Sequence, residues 1–375
     1  MKICFILNYS ELYGANRSIL SVIEYFIEKD CEVNVLLPVG GSIADELKRK
    51  NINFSIIPYY SAFLYIKPIF KHLMVPLLFL FNIIIFPYLL FKVYISKPDV
   101  IYSNTSAENI GIFIAKILAV KHVWHIREFM SLDHNAYFIF GRNMKSRLIN
   151  MSDKSIYVSN SVLDSIHGKK ESVKYQVIYN GIKSSVKLLP KSSYNNRLVF
   201  GIVGILDPGK GQDMAIKYFN RLLLYYPNAK LKIFGDKEGA FKNKILKLVR
   251  DLDLKEKIQF NGFVDCQEEI YGAIDILLMF SKSEGFGRVT IESALQGVPV
   301  IGFDNAGTSE LIIHKKTGCL FKDFDSFLEC VNFTMNKANY KLIREQSFLN
   351  ANKKFNIKKY CNSVYSFVLK KKRIK

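Results

Sequence analysis

The sequence has little of what would declare a function at first sight. Its six cysteines, Cys4, Cys31, Cys266, Cys319, Cys330 and Cys361, lie far apart, without a C-x-x-C pair or the Cys/His spacing of a zinc site. A disulfide framework and a structural metal are therefore not expected, and a reducing cytoplasmic setting is. No low-complexity tract interrupts the 375 residues, and an apolar share of 49% against 23% charged excludes a disordered or fibrous chain. No strand-like run is followed by G-x-G-x-x-G, which disfavours a hydride-transferring dinucleotide enzyme. The opening MKICFILN is too short an apolar run for a signal peptide and reads as a buried first strand.

What the chain does have is positive charge, a formal net +20 spread along its length. The sign welcomes phosphate-bearing partners without naming one. A nucleic-acid recognition module and a basic-aromatic stripe are both missing, so nucleic acid is not an expected partner. The tail KKKRIK from Lys370 is the one basic block, read equally as a solvated terminus or as a contact with an anionic membrane surface.

Short apolar runs alternate with helical patterns, the signature of parallel α/β units. Strands are expected at residues 3–7, from Val33, Phe54, Asp99, His122, Ser155 and Gln176, and then at 198–203, 230–234, 258–260, 274–280, 299–303 and 318–321. Between the two sets lies the polar, aperiodic KSSVKLLPKSSYNN. The expectation is therefore two tandem Rossmann-like domains with an interdomain cleft: residues 1–190, residues 191–355, and a C-terminal helix and basic tail over 356–375. Ligands of such sheets bind at the carboxyl ends of the strands.

Residues 73–95, LMVPLLFLFNIIIFPYLLFKVYI, form an apolar run that as a helix would reach roughly 34 Å, enough to cross a bilayer. Pro76, Pro87 and Asn82 interrupt it, and the strands on either side are expected in one sheet, which a single crossing would separate. A helix or helix pair docked into the membrane face is preferred to a buried crossover helix and to a true span.

Two stretches carry chemistry. GILDPGKG, residues 204–211, falls one residue short of a P-loop: Pro208 removes an N–H, and Gly211 stands where magnesium would need a hydroxyl. A strand end, a Gly turn and a helix start remain, with Lys210 beside the helix N-terminus, which suits an anion. The second stretch, SEGFGRVTIESALQGVPVIG, puts Glu284 and Glu292 eight apart, with Gly285 and Gly287 between them and a helix beginning near Arg288. Glycines permit close approach to a ligand, helix-start N–H groups suit a phosphate, and carboxylates accept from sugar hydroxyls. The plainer alternatives are a solvated lysine in a turn and a first-turn glutamate favoured by the helix dipole.

EGFGRVTIE followed by SALQGVPVI resembles the Glu-x7-Glu signature of family 4 retaining glycosyltransferases, which have the two-domain GT-B fold. The resemblance also takes in YGANR, the SNT after DVIYS, HIRE from His125, YNGI, GILDPGKGQ, NGF from Asn261 and GTSEL from Gly307. It implies that Lys210 holds the donor diphosphate and Glu292 the donor ribose. Glu284 and the Phe286–Gly287 backbone would meet the transferred sugar and its phosphate, and Gly14, with Arg17 as a weaker candidate, would face the diphosphate from the first domain. It also implies that His125 lies near the acceptor and the reacting carbon. One departure stands out: the family motif G-R-x4-K-G has Ile205 in place of its arginine here, and Arg288 is the candidate substitute.

The expected activity is metal-independent transfer of a sugar from a UDP- or GDP-linked donor, with no further cofactor, to a hydroxyl of a membrane- or lipid-linked glycan, with the leaving phosphate taking the acceptor proton. The expected location is the cytoplasmic face of the cell membrane. Two alternatives stay open at this point, a non-hydrolysing nucleotide-sugar epimerase and a non-catalytic binding protein that keeps the fold.

Overall fold

The computed structural model describes residues 1–12, 14–61, 63–64, 68–129, 137–138, 142–168, 172–183 and 198–370. The basic tail beyond Lys370 and most of the polar segment after Gly181 lie outside the described residues. The chain divides into two compact units, Met1–Gly181 with Ile357–Lys375, and Ile182–Asn356. The division falls ahead of the polar segment in which the sequence places it, because Ile182 already belongs to the second unit: its N–H donates to Phe355 O at 2.9 Å, and it bridges to Asn356.

The first unit contains β1 (Lys2–Ile6), α1 (Gly14–Ile27), β2 (Glu32–Leu37), α2 (Ser42–Arg49), β3 (Phe54–Ile56), β4 (Phe63–Leu64), α3 (Pro68–Ser96), β5 (Val100–Asn104), α4 (Ile110–Ile117), β6 (Lys121–Ile126), β7 (Tyr137–Phe138), α5 (Arg142–Met151), β8 (Lys154–Tyr157), α6 (Asn160–His167) and β9 (Tyr175–Val177). Seven strands form one parallel sheet in the order β3-β2-β1-β5-β6-β8-β9, with β4 and β7 paired apart from it. Every second residue of β1 and its extension, Ile3, Phe5 and Leu7, faces a core made with Ile23 and Phe26 of α1. The alternate residues Cys4 and Ile6 face a second core with Leu89 and Val93 of α3 and Ile114 of α4. Both faces of the sheet are covered, which explains why β1 reads as an unbroken apolar run.

In the second unit β10 (Val199–Val203), a 3-10 turn at Pro208–Lys210, α7 (Gln212–Leu222), β11 (Lys230–Phe234), α8 (Ala240–Asp251), β12 (Ile258–Gly262), α9 (Gln267–Gly272), β13 (Ile276–Met279), α10 (Arg288–Leu295), β14 (Val300–Phe303), α11 (Ala306–Leu311), β15 (Cys319–Phe321), α12 (Phe324–Met335) and α13 (Lys337–Lys354) follow in turn. Six parallel strands run in the order β12-β11-β10-β13-β14-β15. Ile276, Leu278 and Phe280 face Phe219 of α7 and Phe327 of α12, while Leu277 and Met279 face Ile270 and Tyr271 of α9. Strand order reverses at β1/β5 in one sheet and at β10/β13 in the other, so each sheet has a crevice at its carboxyl edge there.

After α13 the chain returns to the first unit as α14 (Ile357–Leu369), which adds Tyr360, Val364 and Phe367 to the core around Phe5. Phe26 sits at the junction, fully buried, edge-on to Phe5 at 5.8 Å and to Tyr365 of α14 at 5.0 Å.

The apolar run of residues 73–95 lies in one helix, α3, through both prolines. Leu89 and Val93 are buried, but only 6% of its most apolar window is, and Leu77, Leu80, Ile83, Ile84 and Phe91 are each more than half exposed. Asn82, polar in an apolar helix, serves a local purpose. Its side chain accepts from Tyr60 N at 2.9 Å and donates to Tyr60 O at 3.0 Å, pinning the loop after β3.

Phe26→Ala should lower the stability of the first unit by about 3–5 kcal/mol, the range for emptying a large buried aromatic site. Its unfolding transition in calorimetry should move down while that of the second unit stays in place.

Candidate active site

At the carboxyl edge of the second sheet the loop after β10 is shaped by its own side chains. Asp207 Oδ1 accepts from Gly209 N at 3.0 Å and starts the 3-10 turn that ends in Lys210. Gly211 then takes a left-handed φ of 71° and leads into α7. A Cβ at Gly211 would lie 2.2 Å from Phe280 O. The residue that spoils the P-loop is therefore a steric requirement, since a Ser or Thr there would drive into the main chain after β13.

The loop after β13 meets this turn directly. Lys282 N donates to Gly209 O at 3.1 Å, and Lys210 Nζ lies 2.8 Å from Glu284 Oε2, both side chains about a third exposed or less. Glu284 O accepts from Gly307 N at 2.9 Å, and a Cβ on Gly307 would come within 2.6 Å of the same oxygen. GTSEL thus supplies the close backbone approach that holds the EGFG loop. Gly287 (φ 91°) begins α10, and Phe286 is buried with its ring edge-on to Phe355 at 5.9 Å, leaving its main chain rather than its ring to meet a ligand.

Glu292, one turn into α10, is a buried carboxylate. Arg288 Nε donates to its Oε1 at 2.6 Å, and Tyr271 OH shares its one proton between Glu292 Oε2 at 3.3 Å and Val289 O at 3.2 Å. Burial and the Glu292 charge push the Tyr271 phenol well above its usual range, which keeps it a donor. Each carboxylate oxygen keeps a further lone pair for a ligand hydroxyl. Arg288 is thus paired within its own helix, one turn before Glu292, while at Ile205 the carbonyl accepts from Gln212 Nε2 at 2.8 Å.

The first unit holds the other expected residues. Gly14 is exposed at the start of α1, and Arg17 Nε donates to Leu12 O at 2.8 Å. Asn16, fully buried, donates to Tyr9 O and Glu11 O at 2.9 and 2.8 Å, so α1 grips the loop that precedes it. His125 is fully buried near the end of β6. Its Nδ1 faces Tyr102 OH at 2.6 Å and the donating Arg127 Nη2 at 3.1 Å, which makes Nδ1 the acceptor and puts the ring proton on Nε2. Burial, reinforced by the Arg127 charge, holds this imidazole well below its ordinary pKa. The surroundings thus favour the neutral ring, which ties the end of β6 to Tyr102 and Arg127.

Sequence reasoning missed Tyr271, whose carboxylate partner lies 21 positions on with no local pattern to announce it. It also passed over Arg127, which links Asn104 (2.6 Å), Asn180 (2.7 Å) and Tyr360 (3.1 Å) at the carboxyl edge of the first sheet. HIRE and YNGI were the available signals. Asp323 and Asp325 form a D-x-D pair after β15, but Asp323 caps α12, accepting from Ser326 N at 2.8 Å. Among the described residues no group of three or more His, Cys, Asp or Glu is gathered as a metal site.

Gly211→Ser should destabilise the second unit by roughly 1–3 kcal/mol or more, from strain in the left-handed region joined to a backbone clash. A melting curve unchanged from the native protein would show that the two loops do not touch as described.

Two family models match consecutive parts of the chain, Glycosyltransferase Family 4 over residues 13–186 and Glycosyl transferases group 1 over residues 189–362. The N-acetyl-alpha-D-glucosaminyl L-malate synthase of Bacillus anthracis is 30% identical over 182 residues, 46% of this chain and 47% of that protein. The Escherichia coli O-antigen biosynthesis glycosyltransferase WclY is 33% identical over 159 residues, 40% of this chain and 42% of that protein. The chain spans about half the length of the curated relatives it matches. The crystal structure of Anabaena HepE in complex with UDP and glucose is similar in fold at 20% identity, with a TM-score of 0.80 over 98% of this chain and 99% of that one. With a parallel α/β unit on each side of Ile182 and a family model matching each half, the chain belongs to the glycosyltransferases of GT-B fold that join a Family 4 domain to a group 1 domain.

Proposed function

We propose that the protein transfers a sugar from a UDP- or GDP-linked donor to a hydroxyl of a lipid-linked or membrane-bound glycan, with retention of anomeric configuration, in synthesis of a surface polysaccharide or glycolipid. The observation that carries this is the gathering of Lys210, Glu284 and the start of α10 at the carboxyl edge where the second sheet reverses its order, with Glu292 on that same helix. Breaking a glycosyl-phosphate bond places positive charge on the ring and negative charge on the departing diphosphate. Lys210 and the N-terminal end of α10 answer the second of these, and do so in a loop already fixed before substrate arrives. Glu292, ordered by Arg288 and Tyr271, is set to accept from the ribose hydroxyls. On this reading the leaving phosphate itself takes the acceptor proton, so the chain needs no base of its own, in keeping with the neutral, buried His125. The UDP bound by HepE and the O-antigen role of WclY point toward the same donor and product classes.

The membrane-linked acceptor rests on α3. A helix of this length with an apolar outer face is costly to leave in water, and burying that face in the headgroup boundary removes the cost. Its flanking strands β3 and β5 lie in one sheet, which favours lying along the membrane over crossing it. The net charge of +20 adds attraction to anionic lipid.

Lys210→Ala should cut transfer roughly 100-fold or more, as loss of a preorganised electrostatic group does, and Glu292→Ala should do likewise, with both proteins folded. Normal turnover in either would remove the site assignment. Product formed with the anomeric configuration of the donor supports retention. Epimerised donor in the absence of any acceptor would favour an isomerase instead. The full-length protein should sediment with anionic liposomes and lose this with Leu80→Glu and Ile84→Glu together. A protein that stays in the supernatant would sink the membrane proposal.

A further inference from the structure

Resting on the donor reading above, we propose that Lys237 supplies the second positive charge of the diphosphate site, replacing from a neighbouring strand the arginine that Ile205 lacks. A departing diphosphate carries more charge than one lysine and one helix N-terminus balance, so the site has use for a cation besides Lys210. Arg288, expected to fill the gap, is bound to Glu292 at 2.6 Å inside α10.

Lys237 lies in the loop after β11, the strand paired with β10, so the loops after the two strands emerge side by side at the same edge. They touch where the arginine is missing: a Cβ on Gly235 would fall 2.2 Å from Gly204 O and 3.2 Å from Ile205 N. From there Lys237 Nζ reaches Asp207 Oδ2 at 3.2 Å, and the other oxygen of that carboxylate caps the turn carrying Lys210. The Lys237 ammonium thus hangs over the same turn as the lysine that the motif provides.

The surroundings suit an arriving anion. The flanking acids Asp236 and Glu238 are both engaged by Lys242 of α8, at 2.9 and 2.6 Å, which mutes their repulsion of phosphate. The Lys237 side chain is 56% exposed, and exposed ion pairs of this kind are weak, so a diphosphate can take the ammonium from Asp207 with little lost. Lys210 on Glu284 and Lys237 on Asp207 then form two matched pairs, each lysine held by a carboxylate until the diphosphate takes its place.

The test titrates UDP and GDP into the purified full-length protein by calorimetry. Lys237→Ala should weaken binding of the preferred diphosphate roughly tenfold, the scale of one charge-assisted hydrogen bond, and should flatten its salt dependence. Binding of the bare nucleoside and the melting temperature should not change. Ile205→Arg added to Lys237→Ala should restore the lost affinity. Lys282→Ala, at an exposed lysine whose main chain also meets this turn, should bind like the native protein. Native affinity in Lys237→Ala, or a loss in Lys282→Ala instead, would overturn the assignment. If the native protein bound neither diphosphate, the donor reading would fail and this assignment with it.

Discussion

Main chain resting on main chain at the carboxyl edge of the second sheet is the constraint on which the site depends. The turn after β10 lies against Phe280 O through Gly211, and the EGFG loop lies against α11 through Gly307. Neither contact leaves room for a Cβ, and in each a hydrogen bond joins the same segments. Lys210 and Glu284 meet because these loops have almost no freedom to separate. A site that must face charge as it develops benefits from such rigidity, since little reorganisation is left for the moment of reaction.

The strand pattern of both units was legible because each sheet is covered on both faces. β1 and β13 therefore appear as short, continuous apolar runs bounded by polar turns, and that is a strong local signal. The polar segment after Gly181 marks in composition the neighbourhood where the chain changes units, but not the hydrogen bond that ties Ile182 to Phe355, partners nearly the whole second unit apart in sequence. The return of α14 to the first core was equally hidden, since its apolar face has the same spacing whichever unit it packs on.

Within the site, the residue types were readable and their partners only sometimes. Arg288 and Glu292 are four apart on a helix, so their pairing could have been foreseen from spacing alone. Tyr271 with Glu292 and Lys237 with Asp207 join different strand-end loops and helices, and only the folded sheet brings them together. For His125 the sequence offered a place at a strand end but not its surroundings: burial and Arg127, which favour the neutral ring, come from the folded sheet.

The meeting of Ile182 with Phe355 and Asn356 has a bearing on how such a chain is organised. The second unit begins and ends at neighbouring points, so it is built as an insert whose two ends are already joined side by side. Closing the first unit around it requires only a short gap to be spanned, between Gly181 and Ile357, and the entropy of that closure is small whatever the length of what is inserted. The first unit can thus take its last helix from the far end of the chain.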